Sequence, residues 1–142
     1  MKVHEVMTRG VQCAEPHTTL QEVASRMRDL NVGTLPVTNG NRLMGIVTDR
    51  DLAIRALATG KGPQTAVRDA MSTDVICCQA DDDVKDAAEL MKEHQIRRLV
   101  VVDDDRNVEG IVSLGDLAVE THNEKMVGGA LQKISEPVHP MT

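Results

Sequence analysis

Two short segments place a hydroxyl three residues ahead of a carboxylate: Thr48 with Asp51, and Ser113 with Asp116. If each segment opens a helix, the hydroxyl sits beside backbone N–H groups that have no partner within the helix, a setting that suits a phosphate. The carboxylate points back over the same turn. It can accept two hydrogen bonds from vicinal hydroxyls such as those of a ribose. One helical turn can therefore read a sugar and a phosphate together. The same spacing is close to a helix capping box, although Glu or Gln is the usual third-position partner there, and capping is compatible with binding. Arg50, Arg97 and Arg98 add guanidinium groups, whose planar fork suits a phosphate and equally suits an ordinary solvated surface.

The other reactive side chains do not assemble a catalytic pattern. His4, His17, His94, His122 and His139 form no metal spacing such as HExxH, and the chain has no Gly-x-Ser-x-Gly elbow and no Walker-A loop. The adjacent pair Cys77-Cys78 is not the CxxC of a zinc site. Small apolar packing accounts for Cys13 and Cys77. Asp103-Asp104-Asp105 reads as a solvated turn in preference to a cation site. The expectation is a chain that is not an enzyme, with no metal site and no required cofactor.

Composition narrows the partners. The 142 residues contain no Phe, Tyr or Trp, so Val, Leu, Ile, Met and Ala must build the core. A flat ligand ring would lie between aliphatic side chains, and the aromatic platforms that usually bind single-stranded nucleic acid are missing. The formal charge is −6 overall. Residues 1–64 carry 8 Lys and Arg against 6 Asp and Glu, and residues 65–142 carry 8 against 16. An acidic chain is a poor ligand for DNA or an anionic membrane. No apolar run approaches the roughly 20 residues of a membrane span, and the start, Met1-Lys2-Val3-His4-Glu5, lacks the apolar stretch of a signal peptide. Three cysteines, an odd number, do not make a disulfide framework, which points to a reducing cytoplasm.

The elements that must position the two hydroxyl–carboxylate pairs follow from an internal repeat. Val3, Met7, Val11, Cys13, Ala24, Met27, Leu35, Val37 and Arg42 recur 64 residues later as Val67, Met71, Val75, Cys77, Ala88, Met91, Leu99, Val101 and Arg106. After one inserted residue the offset is 65, and Gly45-Ile46-Val47 and Asp51-Leu52-Ala53 recur as Gly110-Ile111-Val112 and Asp116-Leu117-Ala118. Each half reads as a short helix before Met7 or Met71, then a strand at Val11–Cys13 or Val75–Cys78. An amphipathic helix follows. Thr19 with Glu22 forms a capping box for the first, and Leu20, Val23, Ala24, Met27 and Leu30 share its face. Asp83 caps the second, whose stripe is Val84, Ala87, Ala88 and Met91. Strands Leu35–Thr38 and Leu43–Val47 flank the hairpin signal Asn39-Gly40. Leu99–Val102 and Val108–Val112 flank the acidic turn. A second helix begins near Thr48 or Ser113. The predicted fold is α+β: two β-α-β-β-α repeats, residues 1–60 and 65–122, joined by a linker at 61–64 that overlaps the Gly60–Pro63 run. Each repeat would bury its apolar face against the other. Residues 123–142 form a helix and tail, with Met126, Val127, Ala130, Leu131 and Ile134 at helical spacing despite Gly128-Gly129, and Pro137 as a stop. Core packing or a dimer contact is the favoured role of that stripe.

Gly33-Thr34-Leu35-Pro36-Val37, Gly45–Leu52, Ile96–Asp103 and Gly110–Leu117 resemble the CBS (cystathionine-β-synthase) domain family, in register in both repeats and over about residues 1–121. The chain is similar to stand-alone bacterial CBS pairs, and Ile96–Leu117 is similar to a repeat of the gamma subunit of AMP-activated protein kinase. The resemblance implies a pseudo-twofold pair with two clefts that takes AMP, ADP, ATP or a related adenosyl compound as a regulatory ligand, and that forms a homodimer. It assigns Thr48, Asp51, Ser113 and Asp116 to ribose and phosphate, with Ile46 and Ile111 in the same motifs. Arg98 resembles the family's phosphate-contacting arginine, beside Arg97. By the same analogy the cleft of Ser113 and Asp116 takes its adenine wall from Val11, Cys13, Val32, Gly33 and Thr34, with Pro36 in that motif. The cleft of Thr48 and Asp51 takes its wall from Val75, Cys77, Ile96 and Arg97. Arg97-Arg98 stands opposite Gly33-Thr34, and Arg50 opposite Gly115, so the two sites are expected to differ in affinity. Two other readings stay open. One is a constitutive dimerisation scaffold in which the motif only caps helices, with an unidentified protein target. The other is a thiol switch in which oxidation of Cys13 or Cys77 gates binding.

Overall fold

A computed structural model describes residues 1–137. The chain is α+β and separates into two compact units. One unit contains Gly10–Val75 and Asp103–Val108. The other contains Met1–Arg9, Ile76–Val102 and residues 109–137. The first nine residues thus pack with elements of the second repeat, and residues 65–75 pack with those of the first.

In the unit of the first repeat, helix α1 (Leu20–Leu30) begins at Thr19, whose hydroxyl accepts the Glu22 N–H, and ends at Asn31 in the left-handed region. The predicted capping box is half made, because the Glu22 carboxylate turns to Arg26 Nε at 3.3 Å. Leu20, Val23 and Met27 are buried, whereas Ala24 and Leu30 are exposed and leave the predicted stripe. Strands β1 (Thr34–Asn39) and β2 (Arg42–Thr48) form the predicted antiparallel hairpin, with Gly40 at φ +65° in the turn. The predicted strand Val11–Cys13 does not form. Its pairing shrinks to one parallel bridge, in which Ala14 N–H donates to Pro36 O (2.9 Å) and Thr38 N–H donates to Ala14 O (2.8 Å). Gly10, at φ +66°, turns the chain on one side, and Pro16, which has no N–H to offer a ladder, bounds it on the other. The helix after Thr48 is α-helical only over α2 (Asp49–Asp51). It continues as a π-helical turn, Leu52–Ala56, and a 3₁₀ turn, Leu57–Thr59, closed by Gly60.

In the unit of the second repeat, β3 (Cys77–Cys78) is shorter than predicted and runs parallel to β4 (Arg98–Val102), which is followed in the sheet by β5 (Val108–Ser113). Helix α3 (Val84–His94) is capped by Asp83 and buries Val84, Ala87, Ala88 and Met91, as its spacing predicts. Helix α4 (Leu114–Thr121) is α-helical throughout. Helix α5 (Glu124–Ser135) forms across Gly128-Gly129 and packs on α3 and α4. Ala130 is fully buried, and Met126, Val127 and Ile134 lean on the core, but Leu131 is exposed and off the stripe. The core role is the one observed. Because α5 lies over α3, Ala88 is buried where its repeat partner Ala24 is not.

The segments that carry Met7 and Met71 meet the sheets in the same way. Thr8 and Ile111 exchange backbone hydrogen bonds (2.8 and 3.0 Å), and so do Ser72 and Ile46 (2.8 and 2.9 Å). Val3 N–H donates to Asp82 O (2.8 Å) and Val67 N–H to Thr18 O (2.7 Å). These approaches require a glycine on each sheet. A Cβ at Gly45 would stand 2.7 Å from Ser72 O and 2.8 Å from Met71 Sδ, and one at Gly110 would stand 2.5 Å from Thr8 O.

Candidate functional site

Each hydroxyl–carboxylate pair sits where a strand runs into a helix, β2 into α2 and β5 into α4. Both form closed reciprocal boxes. Thr48 N–H donates to Asp51 Oδ2 (3.0 Å) while Asp51 N–H donates to Thr48 Oγ1 (3.0 Å). Ser113 N–H donates to Asp116 Oδ2 (2.8 Å) while Asp116 N–H donates to Ser113 Oγ (3.0 Å). The capping alternative is therefore realised at both positions. It uses one carboxylate oxygen and one hydroxyl lone pair. Each hydroxyl keeps its proton to donate, and the Asp116 carboxylate keeps its second oxygen, whereas that of Asp51 faces an arginine.

A second equivalent contact closes each junction. Asp49 N–H donates to Gly33 O (2.9 Å), and Leu114 N–H donates to Arg97 O (2.8 Å). The segment before β1 or β4 is thereby tied to the first helical residue, bringing Gly33 beside the Thr48 motif and Arg97 beside the Ser113 motif. The first unit also holds Val11, Cys13, Ile46 and Val75, all half-buried, with Thr34 and Pro36 buried and Val32 and Arg50 exposed. The second unit holds Cys77, Ile96 and Ile111, half-buried, with Arg97 and Arg98 exposed.

Arg55 escaped the sequence reading. Its Nε lies 3.5 Å from Asp51 Oδ1, and its Nη1 donates to Met71 O at 3.4 Å. The i,i+4 spacing from Asp51 was the available signal. The repeat partner of Arg55 is Glu120. A groove of about 290 Å³ is lined by Leu20, Ala24, Leu52, Leu57 and Pro63, among others, and one of about 320 Å³ runs between α3 and α5. Neither is lined by Thr48, Asp51, Ser113 or Asp116.

Two of the three thiols, Cys13 and Cys78, are poor nucleophiles. Burial pushes Cys78 up to about 12, with Asp82 and Cys77 adding to it, and burial raises Cys13 against a lowering hydrogen bond from Thr38. Both stay protonated at neutral pH, which at Cys13 weighs against the expected thiol switch. No group of three or more His, Cys, Asp or Glu able to hold a metal occurs among the described residues, and His139 lies outside them. The acidic turn closes on itself. Asp103 accepts from Asn107 N–H (2.9 Å), Asp105 N–H (2.9 Å) and Asn107 Nδ2 (3.2 Å), and the Asn107 N–H bond leads in holding its carboxyl below the usual range. No helix among the described residues is long and apolar enough to cross a membrane.

The family model of the CBS domain matches residues 3–57 and 67–122. The CBS domain-containing protein YhcV of Bacillus subtilis is 44% identical over 133 residues, covering 94% of each chain. A CBS-domain protein of Pyrobaculum aerophilum solved with AMP is similar at a TM-score of 0.79 and 26% identity, covering 91% of this chain and 99% of that one. The CBS-domain pair of protein MJ0100, solved with 5′-methylthioadenosine and S-adenosyl-L-methionine, is similar at 0.76 and 28% identity, covering 91% and 97%.

Proposed function

Since this chain belongs to the CBS-domain family, we propose that it is a non-enzymatic regulatory module that binds an adenosyl ligand, with AMP, ADP and ATP as the first candidates. The observation that carries this reading is the pair of matched boxes, Thr48–Asp51 and Ser113–Asp116. A motif present only to cap would be complete with one carboxylate oxygen. The second oxygen of Asp116, and that of Asp51 once Arg55 gives way, is the group that would accept the vicinal hydroxyls of a ribose. Ser113 Oγ–H is free to donate to a phosphate, and Arg98 supplies the charge. Ile46, Ile111, Val11, Cys13, Gly33, Thr34, Pro36, Val75, Cys77, Ile96 and Arg97 are the aliphatic and backbone surfaces that would hold adenine. The two relatives solved with AMP or with S-adenosyl-L-methionine support an adenosyl ligand, as ligands of those proteins.

A second copy belongs to the same reading. Ile54 and Leu57 after α2, and Val119 on α4, are 55%, 76% and 67% exposed and are the apolar side chains that would meet it. The free cysteines fit a cytoplasmic setting. The closed boxes also favour a scaffold that binds no nucleotide, because capping alone explains their hydrogen bonds.

Equilibrium dialysis separates the two. With AMP, 2′-deoxy-AMP and 3′-deoxy-AMP, the sensor reading expects saturable binding of AMP and at least about tenfold weaker binding of each deoxy analogue, since one buried charged hydrogen bond contributes about 1.5–3 kcal/mol. No saturable binding by AMP, ADP, ATP or S-adenosyl-L-methionine leaves the scaffold. Sedimentation of the same samples at the monomer mass would remove the second copy.

A further inference from the structure

The two boxes match in their hydrogen bonds but differ in what stands one turn further on. After Asp51 comes Arg55, and after Asp116 comes Glu120. Asp51 Oδ2 is held by the Thr48 N–H, and Asp51 Oδ1 faces Arg55 Nε at 3.5 Å, so both oxygens are engaged. The Asp51 side chain is 15% exposed and the Arg55 side chain 54%, so the cation covers the carboxylate from the solvent side. Arg55 is itself steadied by Met71 O. It lies in the π-helical turn Leu52–Ala56, whereas α4 is α-helical throughout. Such turns are rare and gather at functional positions. Among the described residues no ion pair engages Asp116, and the nearby Glu120 is of like charge.

We propose that Arg55 is an intramolecular competitor for the ribose at the first repeat, which makes the Thr48–Asp51 site the weaker of the two. The proposal rests on the adenosyl-binding reading above. A ribose hydroxyl reaching Asp51 Oδ1 must move a guanidinium that already lies against it. At Asp116 it meets a carboxylate oxygen with no cation to displace. A half-exposed ion pair is a modest obstacle, so the handicap is up to about fivefold in affinity. Arg55 is a specificity-determining residue in this account, and removing it is a gain of function.

The test is calorimetric titration of the full chain with adenosine, which has no phosphate for Arg55 to attract. In an Asp116→Ala background only the Asp51 site reports. There Arg55→Gln, and independently Arg55→Ala, should tighten adenosine by up to about fivefold, and Arg55→Lys should fall between. In an Asp51→Ala background, Glu120→Arg should weaken adenosine by a similar factor. Unchanged or weaker binding by both Arg55 variants, at an unfolding midpoint equal to that of the parent, overturns the competitor role while leaving ligand binding in place. Failure of the wild-type chain to bind adenosine, AMP, ADP, ATP and S-adenosyl-L-methionine alike overturns the reading beneath it as well.

Discussion

Leu117→Ala should lower stability by about 2–5 kcal/mol, while Leu52→Ala at the repeat-equivalent position should cost about 1 kcal/mol. Both leucines follow their ribose-motif aspartate directly. Leu117 is fully buried, in one cluster with Met91, Val112 and Ala130. Leu52 is half-buried and lines an open apolar groove. The difference follows from α5, which packs on α3 and α4 and has no counterpart after the first repeat. Deleting three carbons beneath that cover leaves a cavity that the surroundings fill only in part, whereas the rim of a groove can relax. A loss of 2–5 kcal/mol is a large share of the 5–15 kcal/mol typical of a domain. Urea unfolding gives both values. Equal losses at the two positions would mean that α5 does not seal the second unit.

Gly110→Ala and Gly45→Ala should each cost about 1–3 kcal/mol. The reason is backbone proximity, since neither glycine has a positive φ. A methyl at Gly110 would press on Thr8 O, and one at Gly45 on Ser72 O and the Met71 sulfur. Backbone oxygens cannot swing aside as side chains do. The paired bonds between Thr8 and Ile111, or between Ser72 and Ile46, would have to lengthen. Gly62→Ala is the control. Nothing lies within 4 Å of its added carbon, so it should stay within about 0.5 kcal/mol of wild type. Gly110 and Gly45 lie three residues before Ser113 and Thr48, so a sheet pushed off its partner segment there also shifts the ribose motif. Losses no larger than that of Gly62→Ala would show that these segments do not dock as described.

The parts of the fold legible from the residues were those written in local pattern. The stripe Val84, Ala87, Ala88, Met91 places α3 correctly, and Asn39-Gly40 places the β1–β2 turn. The boxes at Thr48 and Ser113 are local too, since hydroxyl, spacing and carboxylate lie within four residues. What escaped depends on distant partners. Ala24 and Ala88 occupy equivalent helical positions, yet one is exposed and the other buried, because burial there is decided by a helix that follows only the second repeat. The docking of residues 1–9 with the second repeat's sheet, and of 65–75 with the first's, has no local signature. Its one trace was glycine at both 45 and 110. The strand expected at Val11–Cys13 has suitable residues, but Gly10 and Pro16 leave room for a single bridge. Arg55 carries no distinguishing mark in the sequence, because an i,i+4 pair on a helix is ordinary. What sets it apart is the contact of its guanidinium with the carboxylate oxygen that the box leaves over.

The adenosyl-ligand reading is tested most directly by thermal unfolding of the wild-type chain and of Asp51→Ala and Asp116→Ala, each with AMP, ADP, ATP and S-adenosyl-L-methionine in turn. A ligand present at about 100 times its dissociation constant adds roughly 2.7 kcal/mol to the folded state. The account predicts a clear upward shift of the wild-type midpoint with at least one of these ligands. The part of the shift that remains should be smaller in Asp116→Ala, where only the weaker site is left, than in Asp51→Ala. No shift with any of the four, or an equal shift in all three proteins, would contradict it.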